Sequence, residues 1–196
     1  MFQVRIHGRG GQGVVSAAEM LSIAAFEEGH HAQAFPSFGS ERMGAPVAAF
    51  CRIDSREIRL REPVMEPDAV IIQDPTLLHQ VDVFGGLSSF GFLVINSTRS
   101  LEALGLDEFV QRLLAGHACT VAASEIALAH IGRPLPNAAL LGAFSAMTGR
   151  LALASVETAI SHKFPARVAQ ANIAAAREAY RAVNETLGRK VEAAHA

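Results

Sequence analysis

Phe2-Gln3-Val4-Arg5-Ile6-His7-Gly8-Arg9-Gly10-Gly11-Gln12-Gly13-Val14 opens the chain, and the reading of this stretch decides the fold class. Apolar side chains alternate at Phe2, Val4 and Ile6, the period of a strand. Residues 8–13 follow as a glycine-rich turn that fits G-x-G-x-x-G. Beyond it, residues 14–28 read as a helix with Val14, Ala17, Ala18, Leu21 and Ala25 on one face, and Gly29 as its stop. A strand, a glycine turn and a helix in this order bring backbone N–H groups and the positive end of a helix to one place. A phosphate or another anion is the natural guest there. Two other readings stand beside it. A dinucleotide site calls for an acid at the end of the second strand, roughly 20 residues on, but His30-His31-Ala32-Gln33-Ala34-Phe35-Pro36 carries no carboxylate. The turn can also serve only to pack a helix on a sheet.

Outward from this unit the pattern repeats. Residues 30–34 read as a short strand, 35–45 as a loop and 46–53 as an extended apolar run. Asp54-Ser55 reads as a tight turn and 57–60 as a returning strand. The apolar runs at 69–73, 92–95 and 119–122 suit strands buried on both faces of a parallel sheet. Helical patterns lie at 106–115, 124–131, 138–152 and 165–187. Strands alternating with helices predict an α/β fold with a mostly parallel sheet flanked by helices and a long C-terminal helix. We place one domain over residues 1–188 and a tail over 189–196.

Composition narrows the function classes. The chain has 196 residues, a formal net charge of −2 and no block of like charge, so no basic stripe for nucleic acid is visible. Tryptophan is absent and tyrosine occurs once, so platforms for stacking bases are scarce. Cys51 and Cys119 are too few for a cluster that takes about four thiolates, and they read as buried small hydrophobes in a reducing compartment. No apolar run reaches the roughly 18 residues of a membrane span, and the start does not have the form of a signal peptide, so we expect a cytoplasmic protein. His30 and His31 point to opposite faces of a strand, and the other histidines have no carboxylate or cysteine at ligand spacing. We therefore expect no metal site. No nucleophile–base set stands out, and we name no catalytic residue. Asp74-Pro75-Thr76 and Asn96-Ser97-Thr98 both follow buried strands and read first as helix caps, with lining of a crevice at the strand ends as the alternative, and Asn137 reads as a helix start.

The loop Ser37-Phe38-Gly39-Ser40-Glu41-Arg42-Met43-Gly44 is bounded by glycine and carries charge at its centre. If it and the glycine turn both follow neighbouring strands, they face one crevice. Arg42 can then pair a phosphate through its planar fork, with Ser37 or Ser40 donating. A solvated Glu41–Arg42 turn is the plainer alternative.

Several segments resemble the gamma subunits of pyruvate:ferredoxin oxidoreductases, within the 2-oxoacid:acceptor oxidoreductase family. They are Arg5-Ile6-His7-Gly8-Arg9-Gly10-Gly11-Gln12-Gly13, Ala32-Gln33-Ala34-Phe35-Pro36-Ser37-Phe38-Gly39-Ser40-Glu41-Arg42, Gly44-Ala45-Pro46-Val47, Ile58-Arg59-Leu60-Arg61 and Gln73-Asp74-Pro75-Thr76-Leu77, with the stretches 137–144 and 172–180. The likeness covers nearly the whole chain in order. It implies a Rossmann-like domain that is inactive alone and works in a complex with alpha, beta and ferredoxin-like delta subunits. That complex oxidatively decarboxylates a 2-oxoacid to acyl-CoA and CO2 (class 1.2.7, or 1.2.1 where a further flavin subunit passes electrons to NAD). Thiamine diphosphate, magnesium and 4Fe-4S clusters would reside on the partner subunits. Coenzyme A would be the ligand of this chain, held by Gly8, Arg9, Gly10, Gly11, Gln12 and Gly13 and by Ser37, Ser40, Glu41 and Arg42. Pyruvate is the nearest substrate by resemblance, with branched-chain and aromatic 2-oxoacids as alternatives. Neither nucleic acid nor membrane is an implied partner.

Overall fold

A computed structural model describes residues 1–37 and 43–194, with side chains described through residue 188. The opening stretch forms β1 (Phe2–Arg9), followed by α1 (Val14–Glu27) and β2 (His31–Pro36). Next come β3 (Pro46–Asp54), β4 (Ala69–Ile72), a 3-10 turn at Pro75–His79 and β5 (Phe92–Asn96). The chain continues through α2 (Asp107–Val110), β6 (Ala118–Val121), α3 (Ala123–Ile131) and α4 (Asn137–Thr148), then α5 (Leu153–Lys163) and α6 (Ala166–Ala194). The six strands form one sheet in the order β2-β3-β1-β4-β5-β6. The pairings β1–β4, β4–β5 and β5–β6 are parallel, whereas β3 runs antiparallel to both β1 and β2.

The expectation of a mostly parallel α/β sheet therefore holds, with β3 as the exception. The returning strand placed at 57–60 does not exist. Its intended partner β3 already has β1 on one edge and β2 on the other, so no backbone groups are left to pair with it. Arg52 instead holds the end of that segment and the residues after it, Nη1 donating to the Leu60 carbonyl at 3.5 Å and Nη2 to the Glu62 carbonyl at 2.6 Å. The helix placed at 106–115 shrinks to a single turn, and its apolar residues Leu106 and Leu113 are buried without regular structure. The helix placed at 138–152 stops at Thr148 because Gly149 adopts a left-handed conformation, φ 57°, and ends it. A separate helix, α5, follows. The C-terminal helix runs past residue 187 to Ala194.

One face of the sheet packs on α1 and α4, and α6 lies over α4. Val4, Ile6, Leu21, Leu140, Leu141 and Phe144 form the centre of this core. A smaller core on the other face joins Ile72, Leu93 and Ile95 to Leu77 and Val83. The helix α4 is buried on all sides from Asn137 to Ser145, so its pattern shows no polar stripe.

On the strand face away from α1, Arg5 is buried and its charge is satisfied by carbonyls. It donates to Val64 at 3.3 Å, Val83 at 3.2 Å and Gly85 at 2.5 Å, and its Nε donates to His7 Nε2 at 3.0 Å. His7 must be neutral at that nitrogen to accept. Burial first, and the Arg5 charge second, push its pKa down from 6.5 to about 4, against a weaker opposing pull from Asp82. The unfolded chain binds a proton on His7 near pH 6.5, while the folded chain refuses it until about 4. Stability from this site is thus complete above pH 6.5 and falls as pH drops toward 4. The loss is about 3 kcal/mol at roughly 1.4 kcal/mol per pH unit. Urea unfolding at pH 7 and pH 4 should show this decrement in the native chain. In His7→Gln, which keeps an acceptor and cannot titrate, the decrement should be smaller by that amount.

Candidate functional site

The site is built where β1 hands over to α1. Gly11 and Gly13 both have positive φ, 90° and 74°, a region that side chains with a Cβ avoid. Gly13 is the N-cap of α1, and no side chain closes the helix start there. The N–H groups of the first turn have no intrahelical acceptor, and the helix dipole makes the spot positive. The first turn carries no acidic residue.

The second loop returns beside the first. Gly10 N donates to Ala45 O at 2.9 Å, and Gly44 N donates to Gly10 O at 3.0 Å. The two loops therefore meet, as the sequence suggests, although β3 lies between the strands they follow. Gly10 N is consumed by this pairing, and Gln12 N by the Arg9 carbonyl at 3.0 Å. Gly11, Gly13 and the first turn of α1 carry the N–H groups that remain.

Arg9 and Gln12 do not point to a ligand. The Arg9 guanidinium donates to Asp74 Oδ2 at 3.0 Å, Thr76 Oγ1 at 2.7 Å, Gln80 Oε1 at 2.9 Å and the Gly44 carbonyl at 3.0 Å. Gln12 accepts from Arg9 N at 2.8 Å and donates to Asp74 Oδ2 at 3.0 Å. Asp74 thus anchors the glycine turn to the end of β4, and Arg9 carries the anchor on to the second loop. Burial alone would raise the Asp74 pKa. The Thr76 hydroxyl, the Gln12 amide, the Thr76 N–H and the Arg9 charge outweigh it and hold the group below the usual carboxylate range. Asp74 is also a cap, accepting from Thr76 N at 3.0 Å. No helix begins after Asn96-Ser97-Thr98; the Asn96 side chain instead reaches across to the first turn of α3, its Oδ1 accepting from Ser124 N at 3.0 Å.

Ser37 is turned toward β3, its N–H donating to Ala48 O at 2.8 Å. Gly8 packs tightly under the turn, where a Cβ would lie 2.6 Å from Val14 Cγ2. Ser40, Glu41 and Arg42 lie outside the described residues.

On the α1 side of the turn a pocket of about 540 Å³ opens toward the α3–α4 connection and the start of α6. Gly13, Ser16, Arg133, Asn137, Phe164 and Val168 are among its walls. Asn137 is 9 % exposed and donates from Nδ2 to the Gly13 carbonyl at 3.1 Å. Sequence reading places Asn137 only as a helix start, and it passes over Ser16, Arg133 and Phe164. Arg133 sits in Gly132-Arg133-Pro134-Leu135-Pro136, which reads as an ordinary connector.

Residues 3–182 match the family described as pyruvate ferredoxin/flavodoxin oxidoreductase. The chain belongs to this family. It is 50 % identical over 160 residues to the pyruvate synthase subunit PorC of Methanosarcina barkeri, covering 82 % of this chain and 85 % of that one. It is 46 % identical over 180 residues to the pyruvate/ketoisovalerate oxidoreductases common subunit gamma of Pyrococcus abyssi, covering 92 % and 96 %. The crystal structure of pyruvate oxidoreductase subunit PORC from Thermotoga maritima superposes with a TM-score of 0.76 at 39 % identity, over 92 % of this chain and 95 % of that one. Within the family, this is a gamma-type chain of a pyruvate or 2-oxoacid:ferredoxin oxidoreductase.

Proposed function

We propose that this gamma-type chain holds coenzyme A for a thiamine diphosphate-dependent complex that oxidises a 2-oxoacid to acyl-CoA and CO2. Thiamine diphosphate, bound on partner subunits, would supply the decarboxylation chemistry, and 4Fe-4S clusters on a delta-type partner would take the electrons to ferredoxin. The role of this chain is to bind and orient the phosphate-bearing end of the acyl acceptor. The observation that carries this reading is the uncapped start of α1 behind Gly11 and Gly13, at the end of the interior strand β1 where the second loop returns. In it, Gly11 and Gly13 allow close approach, Gly8 leaves room for Val14 under the turn, and Arg9, Gly10 and Gln12 hold the turn in shape. Ser37 and, outside the described residues, Ser40, Glu41 and Arg42 are the further contacts this reading assigns to CoA, with Arg42 as the cation.

Pyruvate is supported as substrate by the relatives' names. The Pyrococcus relative is named as common to pyruvate and ketoisovalerate oxidoreductases, which supports substrate choice residing on other subunits. The test is to express the chain with its neighbours and replace Gly11 by valine. A Cβ at Gly11 meets only the flexible end of Met43, at 2.7 Å, but its φ of 90° adds roughly 1–2 kcal/mol of strain, so the thermal midpoint of the variant complex is measured beside its kinetics to separate strain from loss of binding. The KM for CoA should rise at least tenfold, by analogy with the loss of one charge-assisted hydrogen bond at about 1.5–3 kcal/mol, and the KM for the 2-oxoacid should stay level. An unchanged KM for CoA would remove the glycine turn from the acceptor site.

A further inference from the structure

Asp74 ties together both loops of the proposed acceptor site. Its Oδ2 accepts from Arg9 Nε and from Gln12 Nε2, each at 3.0 Å. Its Oδ1 accepts from the Thr76 N–H at 3.0 Å and from the Thr76 hydroxyl at 2.6 Å. Gln12 carries the tie into the glycine turn, where its Oε1 accepts from Arg9 N at 2.8 Å. Arg9 carries it across to the second loop, Nη1 donating to the Gly44 carbonyl at 3.0 Å, beside the bond from Gly44 N to Gly10 O. Thr76 Oγ1 and Gln80 Oε1 hold Arg9 Nη2 at 2.7 and 2.9 Å. The loops have little else to fix them. Gly10, Gly11 and Gly13 carry no side chain, and Gly44 has positive φ with nothing within 4 Å of a Cβ. The strap lies outside both apolar cores, so it shapes the loops and not the body of the fold.

We infer that Asp74 is the positioning residue of the acceptor site, setting the glycine turn through Gln12 and the second loop through Arg9. This deepens the coenzyme A reading and rests on it. Arg9 then acts as the strap between the loops and not as a partner of the phosphate, because its guanidinium is taken up by Asp74, Thr76, Gln80 and Gly44. The position needs a carboxylate. Four donors converge on its two oxygens, and an asparagine would turn an N–H toward one pair of them. With the Arg9–Gln12 pair lost, Arg9 lets go of Gly44 and the free N–H groups of the turn lose their aim.

The test compares the native complex with Asp74→Asn, Arg9→Ala and the double variant, by steady-state kinetics and by hydrogen exchange of residues 43–48. Asp74→Asn should raise the KM for CoA roughly tenfold to a hundredfold, the effect of a binding group displaced by about 1 Å. The KM for the 2-oxoacid, and kcat at saturating CoA, should stay level; a merely structural role would lower kcat and leave the KM for CoA alone. The double variant should rise no further than Asp74→Asn, because both changes cut one strap. Exchange in residues 43–48 should quicken in all three variants without any ligand. Thr76→Val removes one bond to Asp74 and one to Arg9, and gives the same ordering at smaller amplitude should Asp74→Asn fail to assemble. Native exchange in Asp74→Asn, an unchanged KM for CoA, or singles that multiply in the double variant overturn the proposal. A Gly11→Val complex that still raises the KM for CoA then keeps the coenzyme A reading. If exchange quickens while neither Asp74→Asn nor Gly11→Val moves the KM for CoA, the strap stands, and the coenzyme A reading falls together with the role of Asp74 in it.

Discussion

Gly142→Ala should be the most damaging single methyl in this chain. Its Cβ would lie 2.0 Å from the carbonyl oxygen of Ala176 and 2.7 Å from that carbonyl carbon. These are main-chain atoms of α6, so no rotamer change can relieve the clash. Gly142 sits in the middle of α4, which is buried on all sides between the sheet and α6. Either α6 moves off or α4 shifts against the sheet. Overpacking with side-chain neighbours typically costs about 1–3 kcal/mol, and a backbone neighbour places this case at the top of that range or above it. A fall of about 10 °C in the thermal midpoint is expected for a domain of this size, or loss of soluble protein. Differential scanning calorimetry of the full chain, with Gly188→Ala as control, measures it. Nothing lies within 4 Å of a Cβ at Gly188, so the control should melt within a degree or two of the native chain, as open surface positions do. Equal melting of the two variants would contradict the close approach of α4 and α6.

The contrast between Gly142 and the glycine turn marks what a sequence can reveal. The turn is legible because its partners are local: strand, glycines and helix succeed one another within residues 2–27. β4, β5 and β6 are legible because burial on both faces leaves continuous apolar runs, such as Ala69–Ile72, and β1 is legible from its alternating Phe2, Val4 and Ile6. The failed strand at 57–60 has a plausible pattern, and only the sheet order, with β3 flanked on both edges, rules it out. Arg9 could not be read as an anchor because Asp74, Thr76 and Gln80 lie 65 to 71 residues away. Asn137 reaches Gly13 across 124 residues. The pocket is therefore invisible along the chain, and its residues come from a turn, connectors and the ends of α1, α3, α4 and α6, which share no pattern. What was legible is the end of the crevice made by consecutive residues, and what was not is the wall supplied by tertiary packing.

That wall gives the second large effect, at Gly13. Its φ of 74° is left-handed, and alanine there costs roughly 1–2 kcal/mol for the conformation alone. A Cβ would also lie 2.2 Å from Asn137 Nδ2. The amide must swing away and abandon the Gly13 carbonyl, which adds about 1–3 kcal/mol for a buried group left unpaired. Gly13→Ala should therefore lose roughly 2–5 kcal/mol on the same two principles, together with most of the CoA affinity that the proposed function places here. Asn137→Ala alone removes the same hydrogen bond without the clash. In the double variant that bond is lost only once and the clash is gone. Its destabilisation should thus fall short of the sum of the singles by about 1 kcal/mol or more, the signature of residues in contact. Urea unfolding of the four chains yields this coupling. Strict additivity would mean that Asn137 does not grip the glycine turn, and the pocket would then lose the wall that joins α4 to the start of α1.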